Sequence, residues 1–103
     1  MATNQYCFTF NDGVSLDEAL LTLDLARFSA EGLVGQARVQ LNVAHRFDAG
    51  ARTLILEGDG EPLEAVARVY TGLLNREIGE SAFRVRPVQT RAEILAANPS
   101  TAA

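Results

Sequence analysis

The spacing of apolar residues along this chain changes repeatedly between a period of two and a period near 3.6. A period of two marks a strand with one buried face, and a period of 3.6 marks an amphipathic helix. The periods predict the order strand, helix, strand, strand, helix, strand. The predicted strands are 5–10, 37–47, 52–57 and 82–88, and the predicted helices are 16–31 and 62–78. When strands and helices follow one another in this order, only a few ways of packing them bury the apolar sides of both helices.

Both ends of the first predicted helix have sequence signals. Ser15 and Glu18 have the spacing of a capping box, in which the serine hydroxyl accepts from the Glu18 backbone N–H. Gly32 is expected to end the helix in a left-handed conformation. A hydrophobic contact between Phe28 and Leu33 is expected to close that end.

The predicted core combines the apolar faces of the strands with the apolar stripes of the two helices. The stripe of the first helix is wide, because Leu21, Leu25 and Phe28 extend its regularly spaced positions. The second helix has a cleaner stripe, formed by Leu63, Val66, Ala67, Tyr70, Leu73, Leu74 and Ile78.

The simplest packing of these elements places both helices on one face of a four-stranded antiparallel sheet. Right-handed crossovers then put strands one and three in the centre. We therefore predict an α+β fold, a βαββαβ ferredoxin-like sandwich, with residues 1–89 as a single domain. Residues 90–103 form a C-terminal tail, in which Ile94 and Leu95 are expected on a short helix. Because many unrelated functions use this fold, it identifies no activity.

The composition narrows the classes of function. The chain of 103 residues has 13 acidic and nine basic residues, a net charge of −4, which argues against general nucleic-acid binding. Cys7 is the one cysteine and His45 the one histidine, so we expect no disulfide, no metal site and no cofactor. No signal peptide or bilayer-length apolar run is apparent, so we expect a cytoplasmic protein without a membrane partner.

The sheet face away from the helices is predicted to gather arginines around a small neutral strip. One edge strand would present Arg38 and Arg46, and the other would present Arg84 and Arg86. Arginine has a rigid fork of donors that suits carboxylates and phosphates. The predicted neighbours of these arginines are Cys7, Thr9, Ile55, Gln40 and Asn42. We take the arginines with Gln40 and Asn42 as the candidate binding residues.

Three interpretations of this face are open. It pairs with its copy in a homodimer, it binds an anionic ligand or an acidic protein partner, or it is a solvated surface partly covered by the tail. An RNA-binding face is excluded, because such faces need exposed aromatic side chains to stack bases. In the first strand the aromatic residues Tyr6, Phe8 and Phe10 share the core face, and only Cys7 and Thr9 face outward.

No catalytic motif is apparent. His45 lies near a strand end, at a position that the alternation assigns to the apolar face. Two roles are open for it there, a structural role and that of a general base. Cys7 on a central strand is more typical of a small buried hydrophobe than of a nucleophile. The leading hypothesis is therefore a small non-catalytic accessory or regulatory protein that self-associates and binds a protein partner through this arginine-rimmed sheet face. The alternative is a small dimeric α+β-barrel enzyme, in which His45, Tyr6 or an arginine acts on an anionic small molecule.

Overall fold

A computed structural model describes residues 4–88, which form one sheet of four antiparallel strands with three α-helices. In chain order the elements are β1 (Asn4–Phe10), α1 (Leu16–Val34), α2 (Gln36–Asn42), β2 (Val43–Asp48), β3 (Thr53–Gly58), α3 (Gly60–Glu77) and β4 (Phe83–Val88). The predicted α+β class is confirmed. The predicted tail, with Ile94 and Leu95, lies outside the described residues. No helix within 4–88 is both long and apolar enough to cross a bilayer.

The strands lie in the order β2-β3-β1-β4, so β1 and β3 are central, as the sequence predicts. Every neighbouring pair is antiparallel. Cys7 of β1 lies opposite Ile55 of β3 and Arg86 of β4, and Ile55 lies opposite Arg46 of β2. Because directly opposed residues point to the same side of a sheet, this register defines which side chains share a face.

One hydrophobic core joins the sheet to α1 and α3. Phe8, Leu54 and Leu56 from the sheet are fully buried, and so are Leu23 of α1 and Tyr70 of α3. The Tyr70 ring contacts the Phe8 ring edge-on, with 4.8 Å between the ring centroids. The predicted core stripe of the second helix is therefore correct at its centre.

The prediction of a single strand over 37–47 is wrong for its first half. Residues 36–42 form the short helix α2, and the strand begins only at Val43. The apolar alternation at positions 37, 39 and 41 suggests a strand, but only Val39 of these three is buried, while Leu41 is 84% exposed. A single buried position has no period, so it fits one turn of helix as well as a strand.

The prediction that Gly32 ends the first helix is also wrong. α1 continues to Val34, and Gly35, with φ of 103°, separates it from α2. Phe28 and Leu33 are 72% and 70% exposed, so no hydrophobic contact closes the helix there. At the other end the prediction is confirmed, since the Glu18 backbone N–H donates to the Ser15 hydroxyl at 3.3 Å.

Candidate interaction surface

Twelve side chains in three rows cover the sheet face that points away from the core. We call this surface the open sheet face. None of its side chains is buried, and each is exposed or half-buried. Across β2, β3, β1 and β4, the rows are Ala44, Glu57, Gln5 and Val88; Arg46, Ile55, Cys7 and Arg86; and Asp48, Thr53, Thr9 and Arg84.

Three of the six candidate binding residues do not lie on the open sheet face. Arg38, Gln40 and Asn42 belong to α2, because the chain is helical where a strand was predicted. Arg38 Nη1 lies 3.5 Å from Glu61 Oε1, and the Asn42 amide donates to the Arg38 carbonyl at 2.8 Å. The Gln40 amide donates to Glu31 of α1 at 3.5 Å. Arg38 and Gln40 thus make exposed contacts from α2 to α3 and α1, whereas the Asn42 bond stays within α2.

At the β2 side of the open sheet face, an arginine is balanced by an acid. Arg46 Nε lies 3.5 Å from Glu57 Oε1, and the Gln5 amide donates to Glu57 Oε2 at 3.0 Å. The Arg46 side chain is 61% exposed, so this pair is worth little in free energy of unfolding. Its effect is to leave little net positive charge on that side of the face.

At the β4 side, the positive charge is not balanced in the same way. Arg84 and Arg86 are exposed and, within residues 4–88, neither forms an ion pair. With Cys7 and Thr9 they line a surface depression of about 290 Å³. This side of the face therefore suits a carboxylate or a phosphate.

Asp48 and Glu57 also lie on the open sheet face, although neither is among the predicted binding residues. The strand pairing places both on the same side as the arginines. The alternation of residues in the β2–β3 hairpin contains this information, since Asp48, Arg46 and Ala44 have one parity. Asp48 also holds the hairpin turn, because its Oδ1 accepts from the Ala51 backbone N–H at 3.1 Å.

Tyr6 and His45 lie on the other side of the sheet. Both are opposite Leu56, a fully buried core residue, so all three side chains point away from the open sheet face. His45 is nevertheless exposed. Cys7 is a half-buried free thiol on the open sheet face. In the part of the chain from 4 to 88, no group of three or more potential ligands is placed to hold a metal ion.

Comparisons with known proteins found no matching family model, no matching curated protein and no matching solved structure.

Proposed function

We propose that this chain is a small non-catalytic accessory or regulatory protein, which acts by self-association and by binding a protein partner. We assign the self-association to the open sheet face. The observation that supports this is the division of charge there. Asp48 and Glu57 outnumber Arg46 on the β2 side, and Arg84 and Arg86 make the β4 side positive. Because one copy offers both signs, a second copy offers the matching set.

A simple symmetry brings these charges together. A two-fold axis parallel to the strands turns one sheet over and lays it on the other, about 10 Å away. β4 of one copy then lies over β2 of the second copy, at the same level along the strands. In this pairing Arg84 faces Asp48. In the same pairing Arg86 faces Arg46, whose charge is offset by its ion pair with Glu57 of the same copy. The neutral side chains of β1 and β3 meet at the centre.

We also interpret the architecture as a ferredoxin-like sandwich with an additional helix. The strand order β2-β3-β1-β4 and the core shared by α1, α3 and the sheet support this interpretation. The departure from βαββαβ is α2, which lies between α1 and β2. We also propose a reducing, cytoplasmic location, because a chain with one cysteine lacks the disulfide framework that is usual in small secreted domains.

Sedimentation equilibrium of the full chain tests the proposed self-association. We expect a dimer that weakens as salt is raised, because exposed charges are screened. Arg84→Asp combined with Arg86→Asp should shift the protein to a monomer. The matched control, Arg38→Asp combined with Arg68→Asp, changes the net charge equally on α2 and α3 and should stay dimeric. A wild-type chain that is monomeric throughout, or an equal loss in both variants, would contradict the proposal.

A second candidate function is a small dimeric α+β-barrel enzyme that acts on an anionic small molecule. The depression lined by Cys7, Thr9, Arg84 and Arg86 favours it. Of the residues considered for that chemistry, only the arginines face this depression, because Tyr6 and His45 are on the other side of the sheet. Titration with inorganic phosphate and with acetate, followed by amide NMR shifts, tests it. Saturable shifts confined to β1 and β4, absent from the variant with both β4 arginines replaced, would favour this candidate over an interface alone.

A further inference from the structure

A second apolar stripe lies on the solvent side of α1. Leu21, Leu25 and Phe28 are 68%, 48% and 72% exposed. Their spacing of four and then three residues places them on one face of the helix. We call these three residues the outer stripe. The buried residues of α1 occupy the opposite face, and they are Ala19, Thr22, Leu23, Ala26 and Ala30.

The outer stripe has the spacing of a helix-packing seam. Apolar residues separated alternately by three and four positions are what a helix presents to a second helix. A depression of about 350 Å³ runs beside the stripe, between α1 and the end of α3. It is lined by Leu21 and Leu25 together with Glu18, Thr22 and Glu77. The surface therefore combines apolar anchors with a groove.

The charges around the outer stripe have one sign. Asp17, Glu18 and Asp24 are the exposed charged side chains of α1, and Glu77 of α3 borders the same groove. The one arginine of α1, Arg27, is half-buried and donates to the Val43 carbonyl at 3.2 Å, on the side of the core. An acidic border favours a basic partner.

We propose that the outer stripe is the docking site for an amphipathic helix of another protein, with apolar residues at heptad spacing and basic residues beside them. A second copy of this chain fits poorly, because pairing two outer stripes brings acidic borders together. The open sheet face differs in this respect, since it contains both signs of charge. The docking site rests on the partner-binding half of the proposed function. Because the two surfaces are on different parts of the molecule, the peptide experiment below and the dimer experiment above can fail independently.

Binding of a synthetic helix to the full chain tests the proposal. The probe is a labelled 21-residue peptide with leucine at heptad positions a and d and lysine at e and g, and fluorescence anisotropy measures its affinity. The comparison peptide has glutamate at e and g. We expect saturable binding of the lysine peptide that weakens with salt, and at least tenfold weaker binding of the glutamate peptide.

Matched variants locate the site. Leu21→Ser, Leu25→Ser and Phe28→Ser together should weaken the lysine peptide at least tenfold. The control combines Leu33→Ser with Leu41→Ser, at leucines that are 70% and 84% exposed outside the outer stripe. It should bind like the wild type. Neither set changes the net charge, and circular dichroism and the unfolding midpoint check that both variants fold.

Several outcomes would overturn the proposal. Equal binding of both peptides, or equal loss in both sets of variants, would show that the outer stripe does not recognise a basic helix. A change of oligomeric state in the outer-stripe variant would assign the surface to a second copy. Binding that appears only after Ile94→Ser with Leu95→Ser would assign it to the chain's own C-terminal segment.

Discussion

The Tyr70 hydroxyl donates a 2.8 Å hydrogen bond to the backbone carbonyl of Ala19, and this bond joins α3 to α1 inside the core. The Tyr70 ring is fully buried against Phe8 of β1, so one side chain links both helices to the sheet. Burial raises the pKa of the Tyr70 hydroxyl well above its ordinary value, and the negative charge of Glu77 raises it further.

Tyr70→Phe should lower the free energy of unfolding by about 1 kcal/mol, the usual net worth of one buried hydrogen bond. The substitution keeps the ring contact with Phe8 and removes only the hydroxyl, so a loss of several kcal/mol would show that the packing had changed instead. Urea unfolding at neutral pH measures the difference.

Because the pKa of Tyr70 is raised, we expect the protein to lose stability at alkaline pH. Because folding raises the pKa of Tyr70, its contribution to stability is complete below about pH 10, the unfolded value, and is lost as the pH rises above it. There the free energy of unfolding should fall by about 1.4 kcal/mol per pH unit for this one proton. The chain has no lysine to titrate in that range. The decline should be weaker in Tyr70→Phe, and an identical decline in both proteins would contradict the assignment.

Gly58 ends β3 directly opposite Val43, where the chain passes from α2 into β2. A Cβ atom at this position would overlap the backbone carbonyl oxygen of Asn42, which a small side-chain movement cannot relieve. We expect Gly58→Ala to lower the free energy of unfolding by about 1–3 kcal/mol. Gly72→Ala is the matched control, because nothing outside the local backbone of α3 lies within 4 Å of the added methyl group. That variant should gain up to about 1 kcal/mol, and equal effects at the two positions would refute the close approach.

Arg52 connects the β2–β3 hairpin to the loop between β1 and α1. Its guanidinium donates to the carbonyl of Asn11 at 2.7 Å and also to that of Val14. Its backbone has φ of 50°, a left-handed conformation that costs a residue with a side chain about 1–2 kcal/mol. Arg52→Ala should therefore lose about 1–3 kcal/mol of unfolding free energy through the missing hydrogen bonds.

Arg52→Gly separates these two effects. It loses the same hydrogen bonds but is free of the backbone strain, so we expect it to be about 1 kcal/mol more stable than Arg52→Ala. Urea denaturation of the two variants side by side gives the difference directly. An alanine variant as stable as the glycine variant would mean that the left-handed conformation is not maintained.

The sequence predicts those parts of the fold in which the periodicity is long or has a second signal. In β1 and β3, strict alternation identifies the buried residues Phe8, Leu54 and Leu56. In α3, an uninterrupted apolar stripe marks the helix, and the structure adds an ion pair at i, i+4 between Glu64 and Arg68 at 2.9 Å. These elements lie where they were expected because local preference and burial agree there.

The prediction fails where a short segment has few buried positions. The apolar residues of 36–42 fit the period of a strand and also that of a helix, so tertiary contacts determine which of the two forms. The segment is helical, and Arg38 therefore lies on a helix and not on the predicted sheet face. In α1 the apolar stripe is too wide to be buried in one interface. The sequence does not show that Leu21 and Leu25 lie on the solvent side of the helix. The candidate surface was therefore half predicted, with Arg46, Arg84 and Arg86 placed correctly and its acidic residues missed.

A mixing experiment on two charge-reversal variants tests the proposed dimer most directly. In a dimer of the Arg84→Asp variant, the new acidic side chain would face Asp48 of the other copy. In a dimer of the Asp48→Arg variant, the new basic side chain would face Arg84 of the other copy. A one-to-one mixture restores opposite charges at both contacts of a heterodimer. Asp48→Arg also removes the oxygen that accepts from the Ala51 backbone N–H in the hairpin turn. Asp48→Asn is the control, because it removes the charge and keeps a side-chain oxygen that accepts this hydrogen bond.

Sedimentation equilibrium of each variant and of the mixture gives the decisive comparison. We predict that each variant alone is monomeric at concentrations where the wild type is dimeric, and that the mixture sediments as a dimer. A mixture that stays monomeric while the wild type is dimeric, or variants that each dimerise as well as the wild type, would contradict the facing of Arg84 and Asp48 across two open sheet faces.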